Sequence, residues 1–189
     1  MKTGRLEAFS DGVLAIVITI MVLEFRVPEG TEFAVLKPLV PKFLSYVLSF
    51  VYLGIYWNNH HHLFQAIQKV NGKILWANLA LLFVLSLIPF TTAWMGENHF
   101  AKNTVALYGI NLMLCAITFL ILEKAAIDHE GLRSKIAKAL ESKIKEYSSV
   151  TLYIIGTVIS FYIPIIGVLC FTLVAILWII PDRRIEKQM

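Results

Sequence analysis

The chain is dominated by a succession of apolar segments, each about as long as a lipid bilayer is thick. A membrane-spanning helix needs about 20 mostly apolar residues, and several stretches of the 189-residue sequence meet or approach that requirement. The candidate spans are residues 6–25, 39–57, 74–95, 104–122, 148–163 and 165–180. The sequence therefore predicts an all-α integral membrane protein in which residues 1–189 form a single six-helix unit.

The composition supports a membrane protein and excludes other classes. Apolar residues make up 58% of the chain and charged residues 16%, whereas a soluble domain has about 45–50% and about 25%. A disordered protein, a disulfide-rich scaffold and an ordinary soluble enzyme are thereby excluded. Cys115 and Cys170 both lie within apolar runs, which predicts buried free thiols.

The last two spans form one apolar stretch that is too long for a single crossing. As one helix, its roughly 33 residues would reach about 50 Å, against a hydrocarbon core of about 30 Å. We expect a break near Pro164 and Gly167, with the fifth helix starting earlier than residue 148, near Lys143.

The distribution of basic residues predicts the orientation. With the N-terminus in the cytoplasm, 13 lysines and arginines fall on the cytoplasmic side and 4 on the other. The positive-inside rule therefore predicts that both termini are cytoplasmic.

Two groups of polar residues stand out in the apolar background. Asp11 lies two turns into the first span, where an ionised side chain costs about 2.5–3.5 kcal/mol. It is interpreted either as part of a buried structural pair or as an element of a permeation path. The second group, residues 57–62, ends in three consecutive histidines. We expect one or two of them to hydrogen-bond to Asp11 or Ser10, with Asn78 in the same network.

The histidines do not form a convincing metal site. Consecutive side chains point about 100° apart around a helix, and in this segment only Asn58 and His62 have the i, i+4 spacing. The sequence also lacks a phosphate-binding loop and a defensible nucleophile–base pair. We therefore predict no metal, no cofactor and no enzymatic activity.

The rest of the first span, residues 12–23, is apolar on all sides. Ile16, Ile20 and Leu23 have a four-then-three spacing that suits a seam against symmetry-related copies. Thr19 carries the only hydroxyl beside that stripe. On the pattern alone, a buried core helix is the more usual interpretation.

Arg5 followed by Phe9-Ser10-Asp11 at the opening of the first span resembles the signature of the transmembrane protein 175 family of potassium channels. The resemblance continues into residues 57–62 and covers essentially the whole chain. Animal members carry two such units per chain and this sequence has one, so the resemblance implies a prokaryotic homotetramer in the plasma membrane.

The resemblance also implies roles for individual residues. It implies a pore lined by the first helix of each subunit, which conducts potassium passively and in preference to sodium. The implied pore has no Thr-Val-Gly-Tyr-Gly filter loop, and the sequence has none. The implied constriction is formed by Ile16, Ile20 and Leu23, and the residue tied to selectivity is Thr19. The implied structural network consists of Arg5, Phe9, Ser10, Asp11, Trp57, His60, His61 and Asn78.

Two alternatives stay open from the sequence. A secondary transporter would have inverted repeats and helices broken at the midplane, of which only Pro89 and Pro164 give a hint. A proton or cation leak pathway would instead use the polar cluster of Asp11 and the histidines.

Overall fold

The computed structural model describes residues 3–67, 69–131, 134, 137 and 143–179, and it is built of α-helices. The helices are α1 (Gly4–Leu23), α2 (Val40–Gln65), α3 (Gly72–Leu85), α4 (Ile88–Glu97), α5 (Lys102–Glu130), α6 (Ile144–Ser160) and α7 (Pro164–Ile179), with a short 3-10 helix (Phe33–Leu39) before α2.

Within these described residues, four helical stretches are long and apolar enough to cross a membrane. They are Gly4–Leu23, Phe33–Gln65, Gly72–Glu97 and Lys102–Glu130. Helices α6 and α7 have 17 and 16 residues, which corresponds to about 25 Å each. The fold is that of a multi-pass helical membrane protein.

The third apolar stretch bends at Ser86 and Leu87, between α3 and α4. Pro89 lies in the first turn of α4 and has no N–H to donate to the carbonyl of Leu85. At the same place the Ser86 hydroxyl donates to the carbonyl oxygen of Phe83 at 2.7 Å. The predicted continuous span 74–95 is thus two helices.

The break between the last two helices falls at residues 161–163, and α7 begins at Pro164. Gly167 was expected at the break but lies inside α7, where it is buried. A Cβ at Gly156 on α6 would lie 2.7 Å from the ring of Phe171 and 2.9 Å from the Cβ of Cys170. These glycines therefore permit close approach of α6 and α7.

Two helices extend beyond their predicted ends. Helix α2 continues to Gln65 rather than ending at residue 57, so Trp57 and the three histidines are helical. Helix α5 continues to Glu130 rather than ending at residue 122. Its buried Glu123 forms an ion pair of 2.6 Å with Lys143, just before α6. Polar residues are tolerated there because hydrogen-bond and charge partners compensate for lost hydration.

The core is centred on α5. Helix α5 packs against α3, α4, α6 and α7, and α2 packs against α4 and α7. The largest fully buried side chains include Tyr52, Tyr108 and Phe171, which come from α2, α5 and α7. Helix α1 packs against α2, α3 and α4 and therefore lies along one side of the bundle.

Candidate pore helix and its polar network

One face of α1 is buried in its own subunit. The buried residues follow a helical spacing and are Leu6, Ser10, Leu14, Val17 and Met21. They pack against α2, α3 and α4, which fixes the rotation of α1 about its own axis.

The predicted constriction residues lie outside this buried face. The exposed fraction is 59% for Ile16, 42% for Ile20 and 78% for Leu23. At about 100° per residue, the three side chains fall within about 60° of one another around the helix axis. They form a continuous apolar stripe on the surface of the subunit.

Thr19 is exposed beside the stripe. Its hydroxyl donates to the carbonyl oxygens of Ala15 and Ile16, at 3.0 and 2.9 Å. Because the hydroxyl hydrogen is used within the helix, the oxygen retains lone pairs that can accept from water or coordinate a cation.

A buried chain of hydrogen bonds joins α1, α3 and α2 on the other side of α1. The amide nitrogen of Asn78 donates to the Ser10 hydroxyl at 3.0 Å, and Ser10 donates to the carbonyl of Leu6 at 2.9 Å. The amide oxygen of Asn78 lies 2.7 Å from Nε2 of His60. Since that oxygen can only accept, His60 carries its proton on Nε2. Ser10, His60 and Asn78 are all buried, so each bond is shielded from competing solvent.

Asp11 makes a separate connection, about 100° around α1 from Ser10. The indole Nε1 of Trp57 donates to its carboxylate at 3.0 Å. Trp57 in turn stacks on His61 with ring centres 6.2 Å apart, and Nε2 of His61 lies 2.8 Å from the amide nitrogen of Gln65. Neighbouring residues of one motif thus hold α1 in two directions.

The geometry differs from the sequence-based expectation in its partners. Among the described residues, no histidine forms a hydrogen bond to Asp11 or Ser10. Asn78 lies between Ser10 and His60, and the hydrogen-bond partner of Asp11 is Trp57. Arg5 and Phe9 are exposed, and within the described part of the chain Arg5 forms no ion pair. Because a helix turns about 100° per residue, Ser10 and Asp11 face hydrogen-bond partners on α3 and α2, whereas Phe9 points away from both.

Two polar features were missed from the sequence. The Ser49 hydroxyl shares hydrogen bonds with Thr92 at 2.7 Å and with Tyr108 at 2.9 Å, which connects α2, α4 and α5 inside the core. The sequence feature that could have indicated this contact is the pair Ser45 and Ser49, four residues apart in an apolar run. The second feature is Glu24, exposed at the end of α1 directly after Leu23. It lines a groove between α1 and α4 together with Ile16 and Ile20.

A bundle of bilayer-length apolar helices, with one helix held in register by buried polar contacts and exposing an apolar stripe, has the form of a membrane channel subunit. Comparison with known proteins identifies the family. The family model described as endosomal/lysosomal potassium channel TMEM175 matches residues 5–89. A potassium channel of Chryseobacterium sp. is 59% identical over the whole of this chain and 98% of its own length. The chain belongs to the TMEM175 family of ion channels.

More distant relatives agree with this assignment. A potassium channel of Chamaesiphon minutus is 32% identical, with 91% of each chain covered. The crystal structure of a lysosomal potassium-selective channel TMEM175 homolog from the same organism has a TM-score of 0.79 at 28% identity, covering 95% of this chain and 97% of that one. The human endosomal/lysosomal proton channel TMEM175 is 37% identical over 44% of this chain and 19% of its own length.

Proposed function

We propose that this chain forms a homotetrameric channel that conducts potassium passively and in preference to sodium. In the proposed assembly, α1 of each subunit lines a central pore. The permeant ion is potassium, and no cofactor takes part. The proposal is supported by the relatives named as potassium channels and by the exposed stripe on α1.

The single observation that carries the proposal is the exposure of Ile16, Ile20 and Leu23 on a helix whose other face is buried. One helix cannot enclose a pore, so the remaining walls must come from symmetry-related copies. The same rotation of α1 that buries Ser10 turns the stripe outward, toward the axis of the proposed tetramer.

The apolar stripe suits a gate. A ring of four isoleucine side chains at the level of Ile16 leaves too little width for a hydrated cation. It also offers no oxygen atoms to replace lost water, so the ring blocks conduction by dewetting until the helices move apart. Ile20 and Leu23 extend this hydrophobic segment along the axis.

Thr19 is proposed to provide the preference for potassium. Its hydroxyl oxygen keeps accepting capacity after bonding within the helix. Four such oxygens at one level can replace part of the hydration shell of an ion, a role that carbonyl oxygens perform in other potassium channels.

The proposed topology has six spans, with α3 and α4 together forming the third. Both termini then lie in the cytoplasm, as the distribution of lysine and arginine predicts. The proposed location is the plasma membrane of a prokaryote. The structural network of Ser10, Asp11, Trp57, His60, His61 and Asn78 is proposed to hold α1 in place rather than to contact ions.

The proposal is tested by reconstituting the full chain in liposomes with a potassium gradient. We expect downhill potassium flux that exceeds sodium flux. The flux should not saturate and should not be coupled to the movement of a second ion. Native mass measurement on the same preparation should give four copies. A monomer, or saturable uptake coupled to a second ion, would contradict the proposal and favour a transporter.

A proton or cation leak through the polar cluster is the second candidate. It is favoured by the buried chain Ser10–Asn78–His60 and by vertebrate relatives named as proton channels. A pH gradient imposed without potassium distinguishes the two. Proton flux that is abolished by His60→Gln while potassium flux is absent would support the leak pathway.

A further inference from the structure

A groove between the beginning of α3 and the end of α5 lies apart from the proposed pore surface. It shares no lining residue with the groove between α1 and α4. Helix α3 begins at Gly72 and α5 ends at Glu130. The Asn71 amide nitrogen donates to Nδ1 of His129 at 3.1 Å, so the two helix ends are held together at the same side of the bundle.

The rim of this groove carries an excess of positive groups and donors. Lys73 from α3 and Lys124 from α5 are both exposed on it, against one exposed carboxylate, Asp128. Nδ1 of His129 accepts from Asn71, so a neutral His129 has its proton on Nε2 as a further donor. Two ammonium groups with an additional N–H suit a singly charged phosphate group.

The floor of the groove is apolar and lies beside an aromatic side chain at the helix end. Trp76 is 75% exposed one turn into α3, and exposed tryptophan near a span terminus is typical of the membrane–water interface. Ala77 and Ala80 on α3 leave the groove open because their side chains are small, and exposed Ile121 on α5 borders it. A polar rim thus leads into an apolar floor, the arrangement expected of a site where lipid headgroups join acyl chains.

We propose that this groove binds an anionic phospholipid. Lys73 and Lys124 contact the lipid phosphate, Trp76 lies beside the glycerol region, and Ala80 and Ile121 contact an acyl chain. Basic pockets between membrane helices are a recurrent type of anionic lipid site. A second copy of the chain is a poorer occupant, because the cores of protein interfaces are depleted in lysine. The proposal requires only that the chain is embedded in a membrane and does not depend on the pore.

The test is native mass spectrometry of the full chain in detergent, titrated with phosphatidylglycerol or with phosphatidylcholine. We expect phosphatidylglycerol to bind at least about tenfold more tightly, and the double variant Lys73→Gln, Lys124→Gln to weaken it by about 30-fold, since each basic residue near the surface contributes about fivefold. Phosphatidylcholine binding should not change. The matched control is Lys37→Gln, Lys102→Gln, which removes the same charge away from the groove and should bind phosphatidylglycerol as the parent does.

Asp128→Asn gives a result of opposite sign. Removing the opposing carboxylate should tighten phosphatidylglycerol binding by about fivefold. If the double lysine variant does not fold, the Asp128→Asn variant tests the proposed lipid site by itself. Equal affinity for the two lipids, or equal weakening in the control, would overturn the proposal. So would displacement of the lipid by millimolar inorganic phosphate, which would indicate a soluble anion site. A change in the mass of the assembly without a change in lipid preference would instead indicate a protein interface.

Discussion

The indole of Trp57 donates a hydrogen bond of 3.0 Å to the carboxylate of Asp11, and this contact joins α1 to α2. Because Asp11 is exposed within the subunit and its partner is neutral, we expect the bond to stabilise the fold by about 1 kcal/mol. A buried ion pair would instead cost about 3–5 kcal/mol when broken. The contact orients a helix rather than anchoring the whole fold.

A double-mutant cycle of Asp11→Ala and Trp57→Phe tests this contact. The coupling energy should be about 1 kcal/mol, since each single variant removes the same bond. The measurement is thermal unfolding of the detergent-solubilised protein. Additive effects would contradict the contact. An Asp11→Ala protein that assembles normally but conducts differently would make the carboxylate part of the permeation path.

Replacing Asn78 should have a larger effect than replacing Asp11. Asn78→Ala removes both bonds of a buried side chain and leaves the N–H of His60 without its acceptor. We expect a loss of about 2–3 kcal/mol in the free energy of unfolding. The matched control is Asn103→Ala, in the exposed first turn of α5, which should be close to neutral. Similar unfolding curves for the two variants would refute the structural role of Asn78.

Glu24 is predicted to concentrate cations at one end of the proposed pore. Four copies of Glu24 would surround that opening, and the negative potential should raise the local cation concentration. Glu24→Gln should lower potassium flux about twofold at about 10 mM salt and have little effect at about 1 M salt, where the Debye length is about 3 Å. The control is Glu29→Gln in the exposed linker. A salt-independent loss of flux would mean that Glu24 acts through the fold.

The sequence identified the apolar segments but not where each helix ends. Hydropathy predicts an end at Trp57 because polar side chains follow it. The buried His60 is bonded to Asn78 of another helix, a contact that a sequence window does not include. The break at Pro164 was predicted, since proline removes a backbone donor, whereas Pro89 gave only a hint and the span 74–95 was predicted as continuous. Gly167 was read as a break because its role, close approach to α6, depends on a neighbour 11 residues away at Gly156. Such packing is set by tertiary contacts.

The sequence marked most members of the polar network, but it also included the exposed Arg5 and Phe9 and did not define the pairing. Asp11 and the histidines are anomalous in an apolar background, so the cost of burying them marks them individually. Which group meets which depends on the rotation of α1, and a single step from Ser10 to Asp11 changes the neighbouring helix. Asn78 therefore serves as a bridge that spacing alone does not define.

Thr19→Val should reduce the preference for potassium over sodium more than it changes the total current. The substitution keeps the size of the side chain and removes the oxygen that is proposed to coordinate a partly dehydrated ion. The measurement is the ratio of potassium to sodium flux in liposomes, with the yield of assembled protein checked first. Thr118→Val is the control, because its hydroxyl is also bonded within a helix but belongs to α5. An unchanged ratio would exclude Thr19 as the selectivity residue.

The central claim is that α1 lines the pore with Ile16 at its constriction, and liposome flux of Ile16→Asn tests it most directly. Both Ile16→Ala and Ile16→Asn should increase leak current, the first by widening the constriction and the second by wetting it. Weaker increases are expected for alanine at Ile20 and Leu23. The matched control is Ile176→Asn, since Ile176 is similarly exposed, at 56% against 59%, but lies on α7. An increased leak for Ile16→Asn with parental flux for Ile176→Asn is the predicted result. Parental flux through a correctly assembled Ile16→Asn protein would contradict the claim that α1 lines the pore.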